Sequence, residues 1–303
     1  MSDDPLWAII RSVPGWEHGD LDVEPLEGGI TNRNYVVTRY GERFVLRVPG
    51  RDTELLGIDR ANEGRAATLA AEAGVGPEVV ALLADSGCFV ARFVEGAHVP
   101  MADLRRDDVL GSVIRSLRAF HACAPIPSSF NVFRIVEGYG ETAESRGVAL
   151  PLVYADAHAL AARIEAALAV NPAPLTTCHN DLLNANFLRE GDHTWIVDYE
   201  YAGMGDPFFD LGNLAVNNDL DAAADELLLG HAYGAVRDRH RARLALMRMM
   251  SDFREAMWGV VQQAISALDE DFEAYAAKHF DRLLATAAAL PMDDLLAAGQ
   301  EPS

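Results

Sequence analysis

The strongest indication of the fold of this 303-residue chain is the segment Cys178-His179-Asn180-Asp181-Leu182-Leu183-Asn184-Ala185-Asn186. The apolar run Thr194-Trp195-Ile196-Val197 follows it and ends at Asp198. A carboxylate, a carboxamide five residues later and a second carboxylate after a strand-like run form the arrangement that kinase-type phosphoryl transfer needs. Taken alone, His-Asn-Asp could be an ordinary polar turn, but the spaced Asn186 and Asp198 argue against that simpler interpretation.

Each of these residue types has a role in that chemistry. Asp181 is expected to act as the catalytic base and accept the proton of a substrate hydroxyl. Asn186 and Asp198 offer the neutral and anionic oxygen ligands that Mg²⁺ prefers, and they complete the catalytic set. His179 is expected to orient the loop rather than to react. The motif therefore predicts magnesium-assisted phosphoryl transfer from ATP.

A second candidate region lies near the amino terminus, in Gly28-Gly29-Ile30-Thr31-Asn32-Arg33-Asn34. Glycines and small side chains in a turn before a strand can fold over phosphates and present backbone N–H groups to them. Thr31 and Asn32 are the predicted nucleotide-binding residues of this loop. A plain β-hairpin is the alternative interpretation.

Arg47 lies in the strand-like run Phe44-Val45-Leu46-Arg47-Val48. A cation among apolar neighbours is costly to bury unless an acid pairs with it. Glu63, on a helix predicted from about Ile58 to Ala73, is the expected partner, and both residues are predicted to serve the nucleotide. The alternative is a solvated arginine on the sheet and a solvated glutamate on the helix.

The distribution of short strands and long helices divides the chain into two unequal parts. Residues 1–93 alternate strand-like runs with glycine-containing turns, whereas residues 99–303 are mainly helical. Residues 94–98 form a short connector. We therefore predict an α+β, bilobal fold with a small β-rich nucleotide-binding lobe, a hinge and a larger catalytic lobe. Backbone groups around Phe93 and Glu95 are expected to hold adenine.

The composition limits the classes of partner. The formal net charge of −21, from 25 basic and 46 acidic residues, opposes binding to nucleic acids or anionic membranes and favours a cationic substrate. No apolar run approaches the ~20 residues that span a bilayer, and the amino terminus lacks a positive signal-peptide region. A cytoplasmic protein is expected. The three separated cysteines are expected to be reduced thiols.

Several further motifs surround this centre. They are Val45-Leu46-Arg47-Val48-Pro49-Gly50, Ile58-Asp59-Arg60 with Glu63, Gly76-Pro77, Asp198-Tyr199-Glu200-Tyr201 and Phe209-Asp210-Leu211. Together with the Gly28 and Asp181 loops, they resemble the choline/ethanolamine kinases, especially the bacterial members, within the aminoglycoside-phosphotransferase-like group. The resemblance covers about residues 24 to 285. It implies a protein-kinase-like fold, ATP and Mg²⁺ as cofactors, and a structural role for Asp210.

The late segment Trp258-Gly259-Val260-Val261-Gln262 extends the resemblance to the acceptor site. On that resemblance Trp258 and Tyr275 line a choline pocket, although they could equally be core aromatics. The chain departs from the family at Glu255, where many choline kinases have a tryptophan, and at Asn217, where they have an acid. Both residues are predicted to face the substrate, and their identity puts quaternary-ammonium recognition in doubt.

The predicted function is transfer of the γ-phosphoryl group of ATP to the hydroxyl of a small amino alcohol. Another acceptor, such as an aminoglycoside, homoserine, thiamine or a sugar, is the rival among enzymes. A nucleotide-binding pseudokinase is the rival from another class, and it is disfavoured because Asp181, Asn186 and Asp198 are all present. The sequence leaves open the acceptor's identity and the oligomeric state, with a dimer as one option.

Overall fold

A five-stranded antiparallel sheet forms the amino-terminal part of the computed structural model, which describes residues 5–26, 32–50, 53–266 and 268–302. The strands are β1 (Asp22–Leu26), β2 (Asn32–Arg39), β3 (Glu42–Pro49), β4 (Val79–Leu83) and β5 (Cys88–Arg92), in the order β1-β2-β3-β5-β4. Tyr40 and Gly41 join β2 to β3 with φ angles of 52° and 84°, as a two-residue hairpin turn requires. This hairpin places Arg47 at the centre of the sheet, opposite Asn34.

Two helices accompany the sheet. Helix α1 (Pro5–Ser12) buries Ile10 against the sheet core. Helix α2 (Arg60–Glu72) begins where the Asp59 side chain accepts the backbone N–H groups of Ala61 and Asn62 at 2.9 and 3.1 Å, a typical N-cap. The capping explains why the helix begins two residues after the predicted start. Its inner face joins the hydrophobic core of the helical part.

The rest of the chain is mainly helical. Its helices are α3 (Asp107–His121), α4 (Val132–Ser145), α5 (Tyr154–Leu168), α6 (Pro207–Asn217), α7 (Ala222–Tyr233), α8 (Asp238–Ile265), α9 (Phe272–Ala289) and α10 (Met292–Gly299). Helix α8 is the central helix, and most of its residues are buried, as expected for a helix enclosed by others. A Cβ on Gly212 would lie 2.6 Å from the Met247 carbonyl carbon, so glycine permits the close approach of α6 to α8.

Five short strands position the loops between these helices. They are β6 (Ala97–His98), β7 (Thr176–Cys178), β8 (Phe187–Glu190), β9 (His193–Ile196) and β10 (Gly203–Gly205). Strands β6, β8 and β9 form one sheet, and β7 pairs with β10. The segment with Asp181 and Asn186 therefore connects β7 to β8, and Asp198 follows the end of β9. None of the described helices combines the length and apolarity that crossing a bilayer requires.

Candidate active site

Asp210 of α6 anchors the loop between β7 and β8. Its buried carboxylate accepts the backbone N–H groups of His179 at 2.9 Å and Asn180 at 2.6 Å, and it lies 2.8 Å from His121 Nε2. Burial alone would raise the pKa of Asp210, but these hydrogen bonds and the neighbouring histidines bring it below its usual value. Asn180 has a φ of 67°, a conformation that asparagine tolerates better than most residues. Asp210 therefore fixes the backbone just before Asp181.

His179 connects this loop to the segment that carries Asp198. Its Nε2 lies 3.0 Å from the Val197 carbonyl oxygen, and its Nδ1 accepts the Asp181 backbone N–H at 3.3 Å. Burial lowers the pKa of His179, which favours the neutral ring that can donate through one nitrogen and accept through the other. The ring therefore ties the Asp181 loop to the residue before Asp198, and an orienting role for His179 stays a prediction.

Asp181 lies in a buried and strongly charged environment. Burial raises the pKa of Asp181 to about 8; the nearby Arg254 opposes this effect and Glu255 adds to it. Arg254 Nη1 is 3.3 Å from Asp181 Oδ1. A carboxyl group with a pKa near neutrality matches what general-base catalysis requires, because it can both take up and release a proton at working pH.

Asn186 and Asp198 are the two predicted metal ligands. Asn186 donates from Nδ2 to the Asp181 carbonyl oxygen at 2.9 Å, an orientation that leaves its amide oxygen available as a ligand. Asp198 has a φ of 71° and a side chain that is 24% exposed. An amide oxygen and a carboxylate are hard ligands of the kind that Mg²⁺ selects. The donor set therefore fits the predicted magnesium site.

Arg47 lies at the centre of a buried charge network. Its Nε is 2.7 Å from Glu63 Oε1, and its Nη2 is 2.6 Å from Asp198 Oδ1 and 3.0 Å from Glu200 Oε2. The predicted ion pair between Arg47 and Glu63 is therefore present. Burial opposes the charge of Arg47, but the three acids outweigh it and raise the pKa of the guanidinium.

Sequence reasoning assigned no role to Arg60 and Glu200, although both occur in the motifs quoted above. Arg60 Nη1 lies 2.7 Å from Glu63 Oε2 and 3.3 Å from Glu200 Oε2. Asn32 Nδ2 donates to Glu200 Oε2 at 2.8 Å, so the first residue of β2 joins the same network. Thr31 and the two glycines before it lie outside the described residues.

The connector after β5 is held by Arg43 of β3. The Arg43 guanidinium lies 3.9 Å from the centre of the Phe93 ring, and its Nε is 3.2 Å from Glu95 Oε1. The Phe93 N–H donates to the Arg43 carbonyl oxygen at 3.0 Å. Because this N–H is already hydrogen-bonded to β3, a backbone hydrogen bond from adenine to Phe93 would use the Phe93 carbonyl oxygen.

The four predicted acceptor residues lie together between α6, α8 and α9. The rings of Trp258 and Tyr275 are 5.6 Å apart and meet edge to face. The Tyr275 hydroxyl donates to Glu255 Oε2 at 2.8 Å, and Asn217 Nδ2 is 3.5 Å from Glu255 Oε1. Trp258 Nε1 donates to the Tyr201 hydroxyl at 3.1 Å. The aromatic pair and the two departures from the family pattern thus form one cluster.

Arg254, which sequence reasoning missed, connects this cluster to Asp181. Its side chain is 2% exposed, its Nη1 donates to Glu255 Oε1 at 2.7 Å, and its Cζ lies 4.3 Å from the centre of the Tyr201 ring. Burial would raise the pKa of Glu255, but Arg254 and other neighbours lower it. Adjacent Arg and Glu on a helix resemble a solvated pair, and only the burial of this part of α8 distinguishes them.

Comparison with known proteins gives consistent results. The model of a phosphotransferase enzyme family, APH, matches residues 22–245. Human ethanolamine kinase 2 is 27% identical over 317 aligned residues, which cover 92% of this chain and 81% of that protein. The protein LicA of Haemophilus influenzae is 27% identical, with 84% of this chain and 76% of that protein covered.

A solved structure shows a closer similarity. The choline/ethanolamine kinase family protein from Mesorhizobium loti is 34% identical and superposes with a TM-score of 0.83, and the match covers 97% of each chain. The fold of this chain, with an antiparallel amino-terminal sheet and a larger helical part, is the kinase-like fold that the sequence predicted.

Proposed function

Because the chain belongs to the phosphotransferase enzyme family and, within it, to the choline/ethanolamine kinases, we propose that it transfers the γ-phosphoryl group of ATP to the hydroxyl of a small amino alcohol. The observation that carries the proposal is a connected set of contacts: Asn186 binds the Asp181 backbone, and Asp198 pairs with Arg47, which Glu63 holds in turn. This arrangement joins a base, two metal ligands and a phosphate-binding cation.

Asp181 is the base in this reaction. A hydrogen bond from the acceptor hydroxyl to its carboxylate aligns the oxygen for attack on the γ-phosphorus. As the new P–O bond forms, the bond from the γ-phosphorus to the bridging oxygen breaks, ADP leaves, and the carboxylate takes up the hydroxyl proton. The anchoring of its backbone by Asp210 and His179 limits the motion of the carboxylate. Positioning of this kind supplies most of the catalysis in phosphoryl transfer.

The nucleotide occupies the side of the site that contains Arg47. Asn186 and Asp198 would hold Mg²⁺, which would neutralise phosphate charge. Arg47 turns part of its guanidinium to a phosphate oxygen while Glu63 keeps the side chain in place. Asn32 Nδ2 donates to Glu200 Oε2, so the start of β2 is tied to the charge network around Arg47.

The acceptor occupies the side with Trp258 and Tyr275. Aromatic faces attract an ammonium group, and contributions of about 0.5–2 kcal/mol per ring are usual. Glu255 already receives Arg254 and Tyr275, so it contributes negative charge more than a free lone pair. This balance suits a cationic nitrogen, whether protonated or quaternary, and both choline and ethanolamine are candidate acceptors.

An acceptor panel tests the proposal. ATP-dependent ADP production is measured with choline, ethanolamine, homoserine, thiamine, a sugar and an aminoglycoside, with Asp181→Asn as the inactive control. Turnover that depends on choline or ethanolamine supports the proposed function, whereas turnover with another member of the panel alone overturns the acceptor class. ATP binding in a thermal-shift assay without turnover of any acceptor would identify a pseudokinase.

A further inference from the structure

Arg254 lies between the predicted base and the predicted acceptor pocket. Its Nη1 is 3.3 Å from Asp181 Oδ1 and 2.7 Å from Glu255 Oε1. Within residues 5–26, 32–50, 53–266 and 268–302, no other side chain donates a hydrogen bond to the Asp181 carboxylate. The second carboxylate oxygen, Oδ2, is thus left for the acceptor hydroxyl.

The position of the Arg254 guanidinium is fixed by its surroundings. The side chain is 2% exposed and packs on the Tyr201 ring. Its partner Glu255 is held by Tyr275 of α9 at 2.8 Å and lies 3.5 Å from Asn217 of α6. A planar guanidinium that contacts two carboxylates from a packed position loses little further freedom when substrate binds. One fixed side chain therefore connects the predicted acceptor pocket to Asp181.

We propose that Arg254 is a positioning residue that fixes the Asp181 carboxylate relative to the acceptor pocket. The proposal rests on the proposed function and extends it to a residue outside the motif that contains the base. Arg254 fixes Oδ1, and Oδ2 then points to the hydroxyl that is to be phosphorylated. In this arrangement the helix that lines the acceptor also orients the base.

A purely structural role is the competing explanation. A buried ion pair contributes little net stability, but removing one partner leaves an uncompensated charge and is strongly destabilising. If Arg254 serves only to neutralise Glu255, removing both charges should restore activity. If Arg254 orients Asp181, removing both charges should not. The double variant Arg254→Met/Glu255→Gln separates the two explanations.

The test measures kcat, the KM for ATP and the KM for the acceptor in this double variant, in Arg254→Lys and in wild type. We expect kcat to fall about 100-fold in the double variant, a loss typical of misplaced catalytic groups, with the KM for ATP within about twofold of wild type. Arg254→Lys keeps a charge near Asp181 and should recover about a tenth of the wild-type kcat. Wild-type kcat in the double variant would overturn the proposal.

A matched control comes from the same helix. Arg248 pairs with Asp225 at 2.7 Å, away from the site, so Arg248→Met should leave kcat unchanged. If the double variant does not fold, Arg254→Lys alone decides: a fall in kcat of about fivefold or more at unchanged KM for ATP supports the proposal, and unchanged kcat overturns it.

A second measurement separates this proposal from the proposed function. ATP hydrolysis without an acceptor, in which water takes the place of the hydroxyl, also requires an oriented Asp181. We expect this hydrolysis to fall about 100-fold in the double variant as well. If wild type phosphorylates no amino alcohol, the proposed function fails, and the hydrolysis rates still decide the role of Arg254. Equal hydrolysis in wild type and the double variant would overturn it.

Discussion

Arg47 and Arg254 are two buried arginines that contact neighbouring carboxylates of one site, yet they are positioned in different ways. Arg47 comes from β3 and reaches Asp198 and Glu200, which are more than 150 residues away in the sequence. Arg254 comes from α8 and contacts Asp181 and its own neighbour Glu255. The proposed nucleotide side therefore depends on how the sheet packs against the helical part, whereas the residues of the proposed acceptor side all come from the helical part.

This difference has a consequence for mutations. Changes around Arg47 should alter metal and nucleotide binding, because several carboxylates and a cation are balanced there. Changes around Asp181 and Arg254 should alter the chemical step and the choice of acceptor. If the two sides are separable in this way, variants that change Mg²⁺ dependence should differ from those that change kcat or acceptor preference.

The largest effect is expected for Asp181→Asn. The substitution keeps the shape of the side chain but removes the proton acceptor, and general-base contributions are typically about 10²–10⁴-fold in kcat. Binding of ATP in a thermal-shift assay should be retained. Asp192→Asn, at an exposed turn between β8 and β9, is the control. Turnover within a few-fold of wild type would show that Asp181 is not the base.

The pH dependence should reflect the same group. Burial raises the pKa of Asp181 to about 8 in the free protein, so the carboxyl is protonated below that pH and cannot take up the hydroxyl proton. We expect kcat/KM for the acceptor to fall about tenfold per pH unit below the pKa and to level off above it. This acidic limb should be absent in the residual activity of Asp181→Asn, and its persistence there would assign it to another group.

Asp198→Ala should affect the other side of the site. The substitution removes a metal ligand rather than a proton acceptor, so Mg²⁺ dependence and nucleotide binding should weaken together. We expect the Mg²⁺ concentration for half-maximal activity to rise by about tenfold or more, with no such change in Asp181→Asn. An unchanged Mg²⁺ requirement in Asp198→Ala would reject its role as a ligand.

Arg47→Lys should have a smaller effect on the same side. A guanidinium contacts Glu63 through Nε and Asp198 through Nη2, and a single ammonium cannot hold both positions and a phosphate oxygen as well. We expect kcat/KM for ATP to fall roughly tenfold. Arg92→Lys, which alters an exposed arginine of β5 paired with Glu78, is the matched control. Equal kinetics for Arg47→Lys and wild type would show that charge alone matters at position 47.

The two arginines also differ in how far the sequence could predict them. Arg47 was predicted to pair because burying an unpaired arginine within an apolar strand has a large desolvation cost. The structure places Glu63 Oε1 2.7 Å from Arg47 Nε. Arg254 stands in Asp252-Phe253-Arg254-Glu255, which could belong to the solvent face of any amphipathic helix. Its burial depends on α4, α6, α9 and α10 packing around α8, and no local pattern encodes that packing.

The fold likewise combines features set by local sequence with features set by contacts between distant segments. The sequence predicted the β-rich and helical parts and their order, because strand and helix periodicities are local. It did not predict that α2 packs into the core of the helical part, since that depends on contacts between distant segments. Nor did it predict that the Phe93 amide is bound to Arg43, a contact that depends on how β3 runs beside the connector.

The smallest expected effect concerns acceptor preference, and it bears on Glu255. Quaternary ammonium groups have no N–H to donate, so proteins hold them on aromatic faces at about 0.5–2 kcal/mol per ring. The proposed pocket keeps Trp258 and Tyr275 but has a buried carboxylate at position 255, and its negative charge attracts a protonated amine without requiring a further aromatic face. We therefore expect kcat/KM for ethanolamine to be at least comparable to that for choline. A wild-type preference of a hundredfold or more for choline, about 2.7 kcal/mol, would reject this expectation.

Replacing Glu255 with Trp should shift the ratio toward choline by about 2- to 30-fold, the range that one added aromatic face allows. Glu255→Gln removes the charge without adding a ring, so it separates the two causes. A shift in Glu255→Trp that Glu255→Gln reproduces would come from charge, and no shift in either would place residue 255 outside the pocket.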